Sequence, residues 1–222
     1  NGKLLVTGEY AVLDGALSLA LPTKYGQSLK VSAIEGKDII WKSYTNTDEI
    51  WFQAVLKPVD LKDHQITGTN KKEASVRETL LQILKVAHHL NPNFLKNTKG
   101  LLVETHLNFP RNWGLGSSST LINSIAQWAQ VDAFKLLWGA FSGSGYDIAC
   151  AQHKKPILYH LKKDTPMVEE VTFDPPFKDQ LYFVHLNKKQ NSREGIAKYR
   201  EMELDLPLLI SAIGQITKKL LI

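Results

Sequence analysis

Short apolar and alternating runs dominate the first third of the chain. Lys3–Thr7, Ser28–Ile34, Asp38–Trp41 and Ile50–Val55 are rich in β-branched and aromatic residues and are separated by Gly, Asn, Asp or Lys, which predicts strands. Leu13-Asp14-Gly15 is a turn signal. The period then changes. From Lys71 to Leu90, the residues Val76, Leu80, Leu84 and Ala87 recur at helical steps, with Leu81 and Ile83 widening the stripe, so an amphipathic helix is expected. Asn91-Pro92 ends it, because the residue before a proline is pushed out of the helical region.

Leu101–Leu107 reads as a strand, with Leu101, Val103, Thr105 and Leu107 on one face. The loop Phe109–Gly116 separates it from a helix expected over about Ser117–Gln130. Asp132 is suited to cap a short helix through Phe141, and Ser142-Gly143-Ser144-Gly145 breaks that helix. Pro156–Leu161, Met167–Phe173 and Leu181–Leu186 predict strands, and Ser192–Glu201 and Pro207–Ile222 predict helices. No internal repeat is visible. Strand clusters with inserted helices, without regular alternation, predict an α+β fold.

A chain of 222 residues can bury one large core or two smaller ones. Its 43% hydrophobic and 22% charged residues are the balance of a soluble globular protein. The longest apolar runs, such as Leu17–Leu21, fall far short of the roughly 20 residues that cross a bilayer. Asn1–Val6 leads straight into a strand-like run without the cleavage site of a signal peptide, so a cytoplasmic protein with no membrane partner is expected. The chain starts without Met and stops at Ile222 inside an amphipathic pattern with no cap, which reads as a portion of a longer protein. The single cysteine, Cys150, allows neither an internal disulfide nor a cysteine-based zinc site, and Ile148-Ala149-Cys150-Ala151 suggests a packed thiol. The net charge of +5 suits an anionic ligand, while the spread of basic residues along the chain argues against a nucleic-acid surface. The histidines show no metal-ligand spacing with nearby acids and read as structural or exposed.

The most informative segment is Pro110-Arg111-Asn112-Trp113-Gly114-Leu115-Gly116-Ser117-Ser118-Ser119, between a predicted strand and a predicted helix. Two glycines let backbone approach a ligand closely, and a helix start presents unpaired N–H groups with the positive end of its dipole. Three hydroxyls at that start can cap the helix, bind phosphate oxygens or hold a metal. A glycine turn followed by a serine-capped helix has the same appearance. No Gly-Lys-Ser/Thr follows, so this is not a Walker loop, and Gly-x-Ser-x-Gly is absent. Asp147, following Gly143-Ser144-Gly145-Tyr146, has two readings: a helix N-cap, or a carboxylate close enough to a substrate hydroxyl to accept its proton.

In these segments the chain resembles the GHMP kinase superfamily. Pro110 to Ser118 is similar to its phosphate loop, Pro-x-Gly-x-Gly-Leu-Gly-Ser-Ser, with Asn112 where the family usually has Gly. Gly2-Lys3-Leu4-Leu5-Val6-Thr7-Gly8-Glu9-Tyr10-Ala11 resembles the first family motif, and Gly143–Ala149 the Ser/Gly-rich turn before the catalytic Asp of mevalonate-type members. The Gly-rich third motif is not found. The resemblance implies a two-lobed fold. A ribosomal-protein-S5-like, ATP-binding N-terminal lobe would span 1–160, and 161–222 would begin a ferredoxin-like C-terminal lobe. It implies MgATP as cofactor, with the triphosphate over Asn112, Trp113, Gly114, Leu115, Gly116, Ser117, Ser118 and Ser119, and Ser118 toward the metal. It implies Asp147 as catalytic base paired with Lys3. It also implies acceptor contacts from Glu9, Tyr10, Ser144, Gly145, Lys188, Ser192 and Arg193.

Within the family, Gly-Glu-Tyr-Ala and Gly-Ser-Gly-Tyr-Asp-Ile-Ala resemble phosphomevalonate kinases more than mevalonate kinases. Mevalonate kinases normally carry a metal-binding Glu in the helix before that turn, where Asp132–Phe141 offers only Asp132 at its far end. Lys188, Lys189, Arg193 and a helix opening at Ser192 would suit a phosphate or carboxylate, although a solvated basic turn has the same composition. The resemblance implies phosphomevalonate or mevalonate as small-molecule substrate. A non-catalytic ligand-binding protein of the same fold and a diphosphomevalonate decarboxylase are the alternatives.

Overall fold

The alternation in the first half of the chain builds a four-stranded sheet in the order β3-β6-β4-β5, formed by β3 (Gln27–Ala33), β4 (Ile39–Tyr44), β5 (Ile50–Leu56) and β6 (Leu101–Leu107). The computed structural model describes residues 1–62, 75–96, 99–186 and 192–221. β6 runs antiparallel to β3, from Gln27↔Leu107 to Ala33↔Leu101, and parallel to β4. Along β4 the period of two buries Ile39, Trp41 and Ser43 on one face. The Trp41 indole N–H donates to Ser43 Oγ at 3.0 Å and the Thr105 hydroxyl donates to the same oxygen at 2.9 Å, so these polar groups enter the core paired.

The helices α1 (Pro58–Lys62), α2 (Val76–Leu90), α3 (Ser117–Ala129) and α4 (Ala133–Ala140) belong with this sheet. α2 begins later than the periodicity predicts. Ser75 and Glu78 form a capping box, which supplies two of the orphan donors at a helix start; residues 71–74 lie outside the described residues. Leu80, Ile83, Leu84 and Ala87 are buried, and each fully buried Leu or Ile is worth about 1.5–3 kcal/mol. α4 approaches α2 closely at Gly139, where an added Cβ would come within 2.6 Å of Val86 Cγ1. Asp132 caps α4 as expected, accepting from Lys135 N at 2.8 Å. Its carboxylate is thereby engaged as a cap.

A second sheet, in the order β1-β2-β7-β8, combines β1 (Lys3–Leu5), β2 (Ser18–Pro22), β7 (Ile157–Lys162) and β8 (Thr165–Glu170), all pairs antiparallel. β2 is a strand that the pattern shows only as the apolar run Leu17–Leu21; its Ser18, Leu19 and Ala20 are fully buried. β8 starts two residues before the expected Met167. Lys163 and Asp164 both take positive φ, 48° and 62°, and form a two-residue turn that pairs Lys162 with Thr165. The strand expected at Leu181–Leu186 is not formed. Those residues have no ladder partner among the described residues, and Tyr182 and Leu186 are more than four-fifths exposed. A strand is stable only when its backbone groups are paired.

This sheet belongs with α5 (Tyr146–Gln152), α6 (Ser192–Arg200) and α7 (Leu206–Lys219). α7 is capped by Asp205, which accepts from Leu208 N at 3.1 Å, and Pro207 lies in its first turn. Near its end Thr217 is buried, with its hydroxyl 2.8 Å from both Thr7 Oγ1 and the Leu17 carbonyl.

The two compact units interleave along the chain. Asn1–Lys24, Arg111–Gly116 and Ser144–Ile222 form one, and Tyr25–Pro110 and Ser117–Gly143 the other. Residue 160 falls inside β7, with both halves of that strand in the same unit.

Candidate active site

Most of the site residues singled out from sequence fall in the unit that holds β1, the 111–116 loop and α5. β1 carries Lys3, whose backbone N–H donates to the Leu115 carbonyl at 3.0 Å. This bond ties the strand to the loop. Leu115 is 2% exposed and acts as the loop's apolar anchor, while Gly114 and Gly116 on either side take φ of 74° and 87°. A Cβ built on Gly114 would meet nothing within 4 Å. The glycine therefore leaves open space above left-handed backbone, as a loop that meets an anion through its N–H groups requires.

Asn112 lies in a 3₁₀ turn, Arg111–Trp113, and is not among the positive-φ residues, so the departure from Gly needs no left-handed conformation. His185 Nε2–H donates to the Asn112 carbonyl at 3.1 Å, and the Trp113 ring lies 5.9 Å from the His185 ring and 6.2 Å from Phe183. Gly116 is followed directly by Ser117, the first residue of α3. There Ser118 is exposed and Ser119 only 2% exposed, so of these two the Ser118 hydroxyl is open to solvent.

The turn after β1 is strained in a defined way. Gly8 takes φ 87°, and a Cβ there would overlap Ser18 Oγ and come within 2.9 Å of Ser18 Cβ. Tyr10 takes φ 62° and ψ −44°, and Ala11 N–H donates back to the Glu9 carbonyl at 2.8 Å. Together these make a γ-turn of the rare, strained kind centred on Tyr10. Glu9 is exposed and Tyr10 half-buried.

The Ser/Gly turn ends at Gly145, the N-cap of α5, which takes a φ of 84° and makes no side-chain cap bond. Asp147 is thus not the helix cap. It sits two residues further on, in the first turn, half-buried, with Oδ1 accepting from Ile148 N at 3.1 Å. Ser144 is buried, and its carbonyl accepts a short hydrogen bond from the buried Tyr159 hydroxyl. Lys3 Nζ lies 5.4 Å from the centroid of the Tyr146 ring, so the lysine reaches the first turn of α5.

The charge pattern follows. Burial first, and the Asp147 carboxylate second, push the Tyr146 and Tyr159 hydroxyls well above the ordinary phenol range. The Cys150 thiol is pushed up to about 12, chiefly by burial and then by Asp147, against a smaller lowering by Lys3. Lys3 and Asp147 therefore both act on one buried thiol. Both phenols and the thiol stay neutral around the carboxylate.

Other expected residues are less informative. Lys188 lies outside the described residues, and Ser192 and Arg193 open α6. Among the described residues no group of three or more His, Cys, Asp or Glu could hold a metal ion, and no helix is long and apolar enough to cross a membrane.

Sequence reasoning missed a cluster beside Tyr10. The Tyr199 ring stacks on it at 5.8 Å, the Tyr199 hydroxyl donates to Asp14 Oδ2 at 2.7 Å, and Arg200 donates to Asp14 Oδ1 at 2.6 Å. Gly195 of α6 lies directly under the Tyr10 hydroxyl. An isolated glycine inside a helical pattern was the available signal.

No protein-family model matches the sequence, and no curated protein matches it. Solved structures do. A mevalonate kinase from Methanococcus jannaschii is 13% identical with a TM-score of 0.65, covering 99% of this chain and 70% of its own. A second mevalonate kinase is 14% identical with a TM-score of 0.61, covering 99% and 71%. Lactococcus lactis galactokinase, solved with galactose, is 15% identical with a TM-score of 0.54, covering 78% and 46%. At such identities the likeness speaks to the fold. The chain has the α+β fold of the GHMP kinases, with mevalonate kinases among the structures it resembles.

Proposed function

We propose that this chain carries the phosphoryl-transfer machinery of an ATP-dependent GHMP-type kinase of the mevalonate pathway, acting on phosphomevalonate or mevalonate. The observation that supports it most is that the central parts of three sequence motifs, Gly2–Ala11, Arg111–Gly116 and Ser144–Ala149, lie in one compact unit. β1 with Lys3 is hydrogen-bonded to the glycine loop, and Lys3 reaches the helix turn that carries Asp147. Bound MgATP would supply the phosphoryl group and its counter-charge. The N–H groups of Asn112–Gly116 and the start of α3 would hold the phosphates, with the exposed Ser118 hydroxyl toward the metal. Mg²⁺ usually keeps waters and binds through few protein groups plus phosphates, so a single hydroxyl fits it better than an all-protein cage would.

In this reading Asp147 accepts the proton of the acceptor hydroxyl, and Lys3 is paired with it in the chemical step. Glu9, Tyr10, Ser144 and Gly145 line the acceptor side. The lobe division near residue 160 belongs to the same reading. Phosphomevalonate is the preferred acceptor. Its extra phosphate calls for cations and a helix start, which Lys188, Lys189, Arg193 and Ser192 offer in the sequence.

The test is ATP turnover with product analysis on full-length enzyme, offered phosphomevalonate and mevalonate separately. ATP-dependent phosphorylation with higher kcat/KM for phosphomevalonate is expected. A higher kcat/KM for mevalonate reverses the acceptor assignment alone. ATP hydrolysis coupled to loss of carbon dioxide from the diphosphorylated acid would establish a decarboxylase, and ligand binding without turnover a non-catalytic protein.

A further inference from the structure

We propose that Gly195 is a positioning residue: its missing side chain seats the Tyr10 ring against α6, and the seat fixes the acceptor-side turn Gly8–Ala11. The acceptor half of this inference rests on the kinase reading above; the seat itself does not. A Cβ on Gly195 would overlap the Tyr10 hydroxyl and come within 2.7 Å of Cζ and 2.9 Å of Cε1. Four residues further along the same helix, the Tyr199 ring stacks on Tyr10, 5.8 Å away at an interplanar angle of 24°. Tyr199 is held in turn, because its hydroxyl donates to Asp14, which also accepts from Arg200.

Asp14 closes the 3₁₀ turn Ala11–Asp14 that follows Tyr10 directly. The path is therefore a closed ring: the turn carries Asp14, Asp14 holds Tyr199 and Arg200 of α6, and α6 presents Gly195 and Tyr199 to Tyr10. A bulky residue in a strained γ-turn persists only where its surroundings over-determine it, and this ring does so. Glycine weakens a helix interior, so its presence in the middle of the nine-residue α6 runs against local preference. The contact with Tyr10 is the gain that offsets it. Glu9 and Tyr10, and the opening of α6 at Ser192, are then held in fixed register as one acceptor-binding surface.

Gly195→Ala tests this without removing a polar group. By helix preference alone the substitution stabilises α6 and slows its amide exchange. The seat predicts the opposite, with exchange rising together in residues 8–14 and 192–200 and unchanged in α2. For turnover, KM for phosphomevalonate should rise by about tenfold to a hundredfold, as expected of a displaced binding group, while KM for ATP stays within about twofold. Tyr199→Leu, which removes the stack and leaves Gly195, should give the same split. An acceptor KM unchanged in both variants, a parallel rise in the KM for ATP, or exchange that slows in α6 overturns the proposal. If the parent enzyme phosphorylates neither acceptor, the kinase reading and the acceptor half fall together, and exchange in the two segments still decides the seat.

Discussion

The backbone N–H of Lys3 and the carbonyl of Leu115 are 3.0 Å apart and hydrogen-bonded. One short strand thereby fixes two things. Its backbone holds the crown of the glycine loop, and its Lys3 side chain extends over the Tyr146 ring in the first turn of α5. A shift of β1 would move the loop and the lysine together, and the proposed phosphoryl transfer would require such rigidity of groups on different segments.

Gly114→Val should weaken MgATP binding by more than about tenfold while the protein stays folded. Nothing lies within 4 Å of the position a Cβ would take, so the free protein suffers no clash. It does suffer a β-branched residue at φ 74°, at a cost of about 1–3 kcal/mol, and a side chain where the proposed function has phosphate meet backbone. Calorimetric titration checks it; affinity within twofold of the parent in a folded variant would remove the loop from the nucleotide site.

Asp147→Asn should lower turnover by about 10²- to 10⁴-fold with ATP affinity little changed. Gly145 is the N-cap of α5, and an amide oxygen can still accept the Ile148 N–H that the Asp147 carboxylate accepts at 3.1 Å, so the substitution keeps the hydrogen bond at the helix start. Single-turnover kinetics at saturating ATP measure the chemical step. A rate within a few-fold of the parent would end the general-base assignment.

Much of this was legible in the sequence, and the rest for physical reasons was not. Leu101–Leu107 and the Asp132 cap follow from periodicity and capping chemistry, which are local. The segment Leu181–Leu186 has the composition of a strand, yet a strand needs a partner that composition does not name, and among the described residues it has none. β2 was hidden because a strand buried along most of its length loses the alternation that betrays half-buried ones. For the candidate site, Gly114, Gly116 and Asp147 are residues that motifs single out. The Gly195, Tyr199 and Asp14 ring joins residues more than 180 positions apart, and no local pattern encodes such a contact.

Gly8→Ala should destabilise the fold by about 1–3 kcal/mol, or a fall in Tm of about 2–10 °C for a chain of this size. The φ of 87° disfavours any L side chain, and the new methyl would overlap the buried Ser18 hydroxyl, which donates to Ala16 O at 3.0 Å. Ser18 cannot retreat without breaking that bond in the core of its sheet. Differential scanning calorimetry reads the shift, and an unchanged Tm would mean that the turn relaxes freely.

Cys150 should resist alkylation in the native protein at pH 8 and react once the protein is unfolded, and it should make stability fall in alkaline solution. It is fully buried, and its thiol is pushed up to about 12 from an ordinary 9.0, mainly because burial disfavours the thiolate. Between those values the folded state keeps a proton that the unfolded state has lost, so stability decreases as pH rises. The contribution is fully present below pH 9 and is lost progressively toward pH 12, with a slope of at most about 1.4 kcal/mol per pH unit from this one group. Tyr146 and Tyr159 are shifted in the same direction, so the parent's profile alone does not isolate the thiol. The difference between the parent and Cys150→Ala does, because the variant keeps both phenols and lacks only the titrating sulfur. Denaturant titrations at pH 8, 9 and 10 on both proteins should show the gap between them narrowing as pH rises. A gap constant across that window, or rapid native alkylation at pH 8, would mean that the thiol is open to solvent and titrates normally.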